Sequence, residues 1–438
     1  MNRRNFLQGS GLAIGAAVTL PTLSCSSPAA GETEIESYEN WTSIRKQFNL
    51  APDRIHMSQM LLASHPLPVR RAIEMHRKYL DENPAEYEGD SFFRIDRDGQ
   101  VSNAAAQYMG VDPTEVALTD STTMGLAMLY SGLKLKAEDE VLTTTHDHYS
   151  TERSLHFATQ KTGARLNRIS LYDEPSQASV SEIIKRLTSA ITPSTKIIAV
   201  TWVHSSTGVK LPIGEMAKAI SEVNNSRGPD QRIYFCVDGV HGFGNQDVTI
   251  EELGCDFLAA GTHKWIFGPR GTGILYGRKD AWDIIEPIIP AFSLTAYGHW
   301  LGMFVDQPLT FQNNFSPGGF HSFEHRWALK EAFEFQLNIG KQRVMERTQN
   351  LSSLLKEGLQ HISHVMLHTP VDPSLSAGIN CFEIDGLLPD DFVTKMAAHG
   401  IVASSSPYKT SYCRLTPSIV NTEEEVKRCI EVIEKIKG

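Results

Sequence analysis

Between about residues 70 and 290, short apolar runs alternate with helix-length amphipathic stretches. Apolar residues recur at helical spacing over 69–80 and 103–109, which predicts helices there. The runs at 116–118, 140–143, 196–200, 233–237 and 257–259 are short, almost wholly apolar and rich in β-branched residues, so they predict buried strands. Buried strands separated by helix-length segments imply crossover units and a mostly parallel sheet flanked by helices. Beyond a Pro/Gly/Phe-rich stretch at 287–320 the pattern shifts. A long helix is predicted over 323–348, continuing to 360. It is followed by an apolar run at 378–384, a helix at 389–399, a short run at 413–416 and a helix at 423–437. The expected architecture is α/β: an arm at 31–69, a large domain at 70–310 and a smaller α+β domain at 311–438. The arm is acidic and carries Trp41 and Phe48, which suit packing against the body.

Composition narrows the class without naming a chemistry. The 438 residues include 41 Lys and Arg against 51 Asp and Glu, a formal charge of −10, and no dense basic run occurs. Nucleic-acid binding driven by a basic surface is therefore not expected. The longest apolar stretch is too short and too glycine-rich for a bilayer span.

The first thirty residues read as an address. Arg3-Arg4-Asn5-Phe6-Leu7 precedes a mild Gly/Ala/Leu stretch, then Pro21 and small polar residues, with no acid throughout. This is the order of a cleaved signal, and the paired arginines resemble the twin-arginine export signal. The resemblance implies passage of a folded protein through that machinery to the periplasm. Thr22-Leu23-Ser24-Cys25 loosely resembles a lipoprotein box, which would anchor the chain at Cys25. Without this segment the basic residues fall to 39 against 51 acids, so the body carries −12. Cys236, Cys255, Cys381, Cys413 and Cys429 are scattered in apolar contexts and read as buried small hydrophobes.

Chemistry gathers where strands end. The run 233–237 closes on Asp238, then Gly239-Val240-His241, and such an acid serves as a helix cap, a metal ligand or a partner for a ligand cation. Lys264 lies between strongly apolar segments in Gly261-Thr262-His263-Lys264-Trp265. Desolvation there lowers a lysine's pKa, as a Schiff base with a carbonyl requires, although a lysine snorkelling to the surface gives the same pattern. Thr119-Asp120-Ser121-Thr122-Thr123 ends a strand and opens a helix, an anion-binding arrangement. His146 and His148 follow the next strand; no Cys/Asp/Glu cluster accompanies them, so a metal is not expected. His204, Ser205, Ser206 and Thr207 end another. Together these supply the parts for holding a phosphorylated, cationic aromatic aldehyde.

Four motifs carry a family resemblance over about 35–435. They are Val237-Asp238-Gly239-Val240-His241, Thr262-His263-Lys264-Trp265, Gly268-Pro269-Arg270-Gly271-Thr272-Gly273, and Cys413-Arg414-Leu415-Thr416-Pro417 with its acidic tail. The chain resembles the class V, fold-type I pyridoxal-phosphate enzymes, and within them the isopenicillin N epimerase-like branch. With a twin-arginine signal it is also similar to periplasmic enzymes that tailor the glutamate of pyoverdine siderophores. The resemblance implies pyridoxal 5′-phosphate as cofactor, a homodimer, and a small amino-acid or peptide-derived substrate. It makes Lys264 the cofactor-linked lysine and proton shuttle and places Asp238 on the pyridinium nitrogen. It stacks His148 on the ring and sets His241 with Ser205 on the phenolic oxygen. Thr122, Thr123 and His263 fall on the phosphate, and Arg414 on the substrate α-carboxylate.

Three departures qualify it. Related cysteine desulfurases carry a nucleophilic Cys on the loop before the arginine, but 401–412 contains none. Gly261 stands where they have a phosphate-binding Ser. Ser316-Pro317-Gly318-Gly319-Phe320 replaces the segment that gives a Thr to the neighbouring subunit's phosphate. A transaminase-like or tailoring reaction is the leading expectation. An epimerase/racemase or C–S lyase is its alternative, and a non-catalytic binder is the remote one. Epimerisation needs a second acid/base facing Lys264, for which His148, Tyr149 and His321 are available.

Overall fold

The computed structural model describes residues 37–93 and 95–437, so the signal at 1–30, the Cys25 anchor and the first residues of the arm lie outside the described residues. β1 (Ile55–His56) belongs to the segment after the first described helix, Trp41–Lys46. The central sheet then takes β2 (Val116–Thr119), β3 (Glu140–Thr144), β4 (Arg165–Ile169), β5 (Thr195–Thr201), β6 (Tyr234–Asp238), β7 (Phe257–Gly261) and β8 (Gly273–Gly277). Their order is β2-β8-β7-β6-β5-β3-β4, with all neighbours parallel except the two pairs involving β8. This is the α/β fold expected from the sequence.

Burial on both faces explains why these runs read as continuously apolar. In β2, Val116 and Leu118 enter one core cluster while Ala117 enters the other. β4 escapes sequence detection because it is an edge strand, partly exposed and carrying Arg165, Asn167 and Arg168.

β9 (Val365–Leu367), β10 (Asn380–Ile384), β11 (Ile401–Val402), β12 (Ser404–Ser405) and β13 (Cys413–Leu415) follow. Four of them form an antiparallel sheet in the order β12-β13-β10-β9, while β11 pairs in parallel with β1. Phe48 packs edge-on against Phe267 and Phe335. The single long helix predicted from 323 is three helices, Phe323–Trp327, Leu329–Ile339 and Lys341–Gln360. The second break falls at Gly340, whose φ of 96° no continuing helix accepts.

Candidate active site

Loops from the carboxyl ends of β2, β3, β5, β6 and β7 converge with β13 and the loop before it around a cavity of about 170 Å³. Thr122, Thr123, His148, Ser205 and Asp238 line it, together with His241, His263, Lys264 and Arg414. The residues singled out from five strand ends and one distant motif therefore share one wall-to-wall site. His146, His204, Ser206 and Thr207 do not join them: the His146 ring stacks on Tyr172 at 3.9 Å and its Nε2 accepts from the Leu171 N–H, while the Tyr172 hydroxyl bonds His204 Nδ1 and Thr207.

Asp238 is 1% exposed at the end of β6. Its carboxylate accepts from the Thr151 hydroxyl at 3.1 Å and from the Val240 N–H at 3.2 Å. Burial pushes its pKa up to about 6, opposed by the Val240 amide and by the Lys264 charge. Both of these hydrogen-bond donors are neutral, which suits a buried carboxylate to pairing with a ligand cation. Across the register from it stands Thr201, whose buried hydroxyl also lines the cavity and has no hydrogen-bond partner.

Lys264 follows β7. Burial pulls its pKa down to about 8; Asp238 opposes that shift and Arg414 adds to it. Its Nζ lies 3.3 Å from His241 Nε2. Burial, with the nearby Lys264 and Arg414 charges, keeps both His241 and His148 below the usual imidazole range. His148 caps the helix Tyr149–Thr162, with its Nδ1 accepting from the Ser150 N–H.

At the other end, Ser121 caps the helix Thr122–Gly132 by accepting from the Met124 N–H. The first amides of that helix lack intrahelical partners, and with the Thr122 and Thr123 side chains they form an anion cradle. The Thr122 hydroxyl accepts from the Gly261 N–H at 2.7 Å. A Cβ on Gly261 would come within 2.9 Å of that hydroxyl and 3.0 Å of the His263 ring, so these two groups already fill the place of a serine side chain.

Arg414 is 1% exposed on β13. Its donors reach the Ser404 hydroxyl at 3.1 Å, the Ser205 carbonyl at 2.8 Å and the Ser405 carbonyl at 3.0 Å. No carboxylate among the described residues pairs with it, which leaves its charge for an anionic ligand.

Sequence reasoning missed three groups. Thr151 and Thr201 are hydroxyls with no motif around them. Tyr408, on the loop before β13, bonds the Ser205 hydroxyl at 2.8 Å and sets its ring edge-on to His148. That loop holds no cysteine, and Cys413 packs into the hydrophobic core on the other side of β13 from Arg414. Burial pushes the Cys413 thiol up to about 12. The hydroxyl of Ser316 is used within this chain, accepting from Leu118 N–H and donating to the Gln312 carbonyl.

This donor set fits pyridoxal phosphate: an amine near neutrality, a cradle for a dianion, a buried carboxylate for a ring cation and an unpartnered hydroxyl beside it. The family model for Aminotransferase class-V matches residues 99–429. A probable cysteine desulfurase of Pyrococcus abyssi is 23% identical over 414 residues, spanning 90% of this chain and 96% of that one. An isopenicillin N epimerase of Streptomyces clavuligerus is 25% identical over 353 residues, spanning 77% and 84%. Among solved structures, a mutant of C-DES with glycine covalently linked to its PLP cofactor aligns with a TM-score of 0.78. It is 20% identical and covers 90% of this chain and 99% of its own.

Proposed function

Because the chain belongs to the class-V aminotransferase family and is a pyridoxal-phosphate-dependent enzyme, we propose that it moves the α-proton of an amino-acid group, with epimerisation as the outcome. The carrying observation is a buried lysine in the cavity wall with a second proton-bearing group, the Tyr408 hydroxyl, one hydrogen bond behind that wall. Lys264 lines the cavity after β7, while the Tyr408 hydroxyl, on the loop before β13, bonds the hydroxyl of Ser205, which lines it. Of the three residues weighed as the second acid/base, Tyr149 is 71% exposed. His321 is held by Asp120 and the Pro317 carbonyl, outside this cavity. His148 lines the cavity, and the family resemblance assigns it to stacking on the ring.

Bound pyridoxal phosphate supplies an aldehyde for the lysine and an electron-poor ring that stabilises negative charge at the substrate Cα. The residues do the rest. Thr122, Thr123 and His263 hold the phosphate, and Asp238 keeps the ring nitrogen protonated. Arg414 orients the substrate through its α-carboxylate, while Ser205 and His241 face the phenolic oxygen. Lys264 would take the proton from Cα as a general base, and Tyr408, hydrogen-bonded to Ser205, would be the acid that returns one.

The curated relatives, an epimerase and a desulfurase, suit the alternative expectation better than the leading one of amino-group transfer. Storage of sulfur on an enzyme thiol is disfavoured, since no cysteine among the described residues lines this cavity. C–S bond cleavage is the second reading, and it needs Lys264 alone as base. We further propose export to the periplasm and action on a peptide-borne group such as a siderophore glutamate, supported by the paired arginines at the N-terminus.

The test is incubation of the yellow holoenzyme with amino acids and amino-acid-bearing peptides in heavy water. Epimerisation gives deuterium at Cα with inversion and no keto acid. Keto-acid release with thiol indicates C–S cleavage, and accumulation of the pyridoxamine form returns the reading to amino-group transfer. Absence of any Cα exchange sinks the proposal.

A further inference from the structure

His241 has a neighbour on each ring nitrogen. Nε2 faces Lys264 Nζ at 3.3 Å, and Nδ1 accepts from the Trp265 indole N–H at 3.3 Å. An indole nitrogen only donates, so Nδ1 presents its lone pair. A neutral imidazole carries one N–H, which then sits on Nε2. His241 is 4% exposed and faces the cations of Lys264 and Arg414, surroundings that keep it neutral. Its Nε2–H therefore points a donor at Lys264. A free amine accepts that hydrogen bond through its lone pair; an ammonium has none to offer.

The indole has no freedom to release the ring. Trp265 is 3% exposed, and its backbone carbonyl accepts from Gln336 Nε2 at 2.7 Å. A Cβ on Gly378 would come within 2.4 Å of the indole, so the glycine is what admits it. Trp265 thus sits between the central sheet's loop and the segment leading to β10.

We propose that Trp265 is a positioning residue that fixes the tautomer of His241 and so favours the free-amine form of Lys264, the form that captures the cofactor. Condensation of an amine with an aldehyde releases one water and no net proton, so only the unprotonated lysine enters it. The groups facing Lys264 are Asp238 at the end of β6, His148 after β3, His241, His263 beside it, and Arg414 on β13. Asp238 alone among them favours the ammonium, and the His241 donor acts against it. The consequence for capture rests on the cofactor reading above; the tautomer does not.

Two measurements on the full-length protein test this. Nitrogen NMR of histidine-labelled protein, assigned with His241→Gln, is expected to show the Nε2–H form of His241. In Trp265→Phe, which keeps the ring packing and loses the donor, the Nδ1–H form is expected to appear. A protonated Nδ1 in the wild type overturns the inference, whether or not the variant folds. Second, cofactor is removed with hydroxylamine and its recapture followed by absorbance against pH. The wild-type midpoint is expected near 8, and Trp265→Phe is expected to raise it by about one unit, with unchanged affinity at alkaline pH. Equal midpoints overturn the proposal. A wild type that never captures pyridoxal phosphate refutes the cofactor reading instead, while the NMR result still decides the tautomer.

Discussion

Asp238 shows how a functional group is held at a cost to the empty protein. Its pKa rises from 3.8 unfolded to about 6 folded. The folded state thus favours the protonated acid, and the stability it contributes is complete below 3.8 and lost as pH rises through 6. By linkage, the ionised group costs about 3 kcal/mol at pH 7 in cofactor-free protein. Asp238→Asn is expected to raise the cofactor-free melting point at pH 7, equivalent to about 1–3 kcal/mol, and to flatten its change between pH 4 and 6. The same variant should lose most activity, because an amide cannot keep the ring nitrogen protonated. Thermal melts at two pH values, with and without cofactor, check both halves; a destabilised cofactor-free variant would contradict the account.

Among the elements, the strands ending in site residues were legible because both faces are buried and their composition is unmixed. β8 was not, being a short run between Gly273 and Gly277 that pairs antiparallel with both neighbours. Thr151 and Tyr408 escaped because their partners lie 87 and 203 residues away, and nothing local marks such hydroxyls. Arg414 was legible through its flanking motif, yet its three oxygen acceptors come from Ser404, Ser405 and Ser205, which only folding assembles. The junction of β7 with the helix Thr122–Gly132 gives a direct test. Gly261→Ala places a Cβ 2.9 Å from the Thr122 hydroxyl and 3.0 Å from the His263 ring, so one must move. Cofactor affinity is expected to fall by about tenfold, near 1.4 kcal/mol, with the melting point little changed. Titration with pyridoxal phosphate reads it, and wild-type affinity would mean the phosphate does not sit between these groups.

For the whole molecule, the helix Leu294–Trp300 and its surroundings leave large apolar side chains in water. Trp300 is 71% and Phe320 84% exposed, with Phe292, Tyr297 and Val305 also exposed. Apolar exposure of this extent calls for a covering partner. We propose a second copy of the chain, and Trp300→Glu is expected to shift sedimentation toward the monomer at micromolar concentration. A wild type that sediments as a monomer at every concentration would remove the homodimer.

The five described cysteines are all free and buried. Burial pushes the thiols of Cys255, Cys381, Cys413 and Cys429 up to about 12, and that of Cys236 well above its ordinary value. Oxidants attack the thiolate, and at neutral pH almost none of these sulfurs is ionised or reachable. A reductant is therefore expected to leave the melting point of the folded body unchanged.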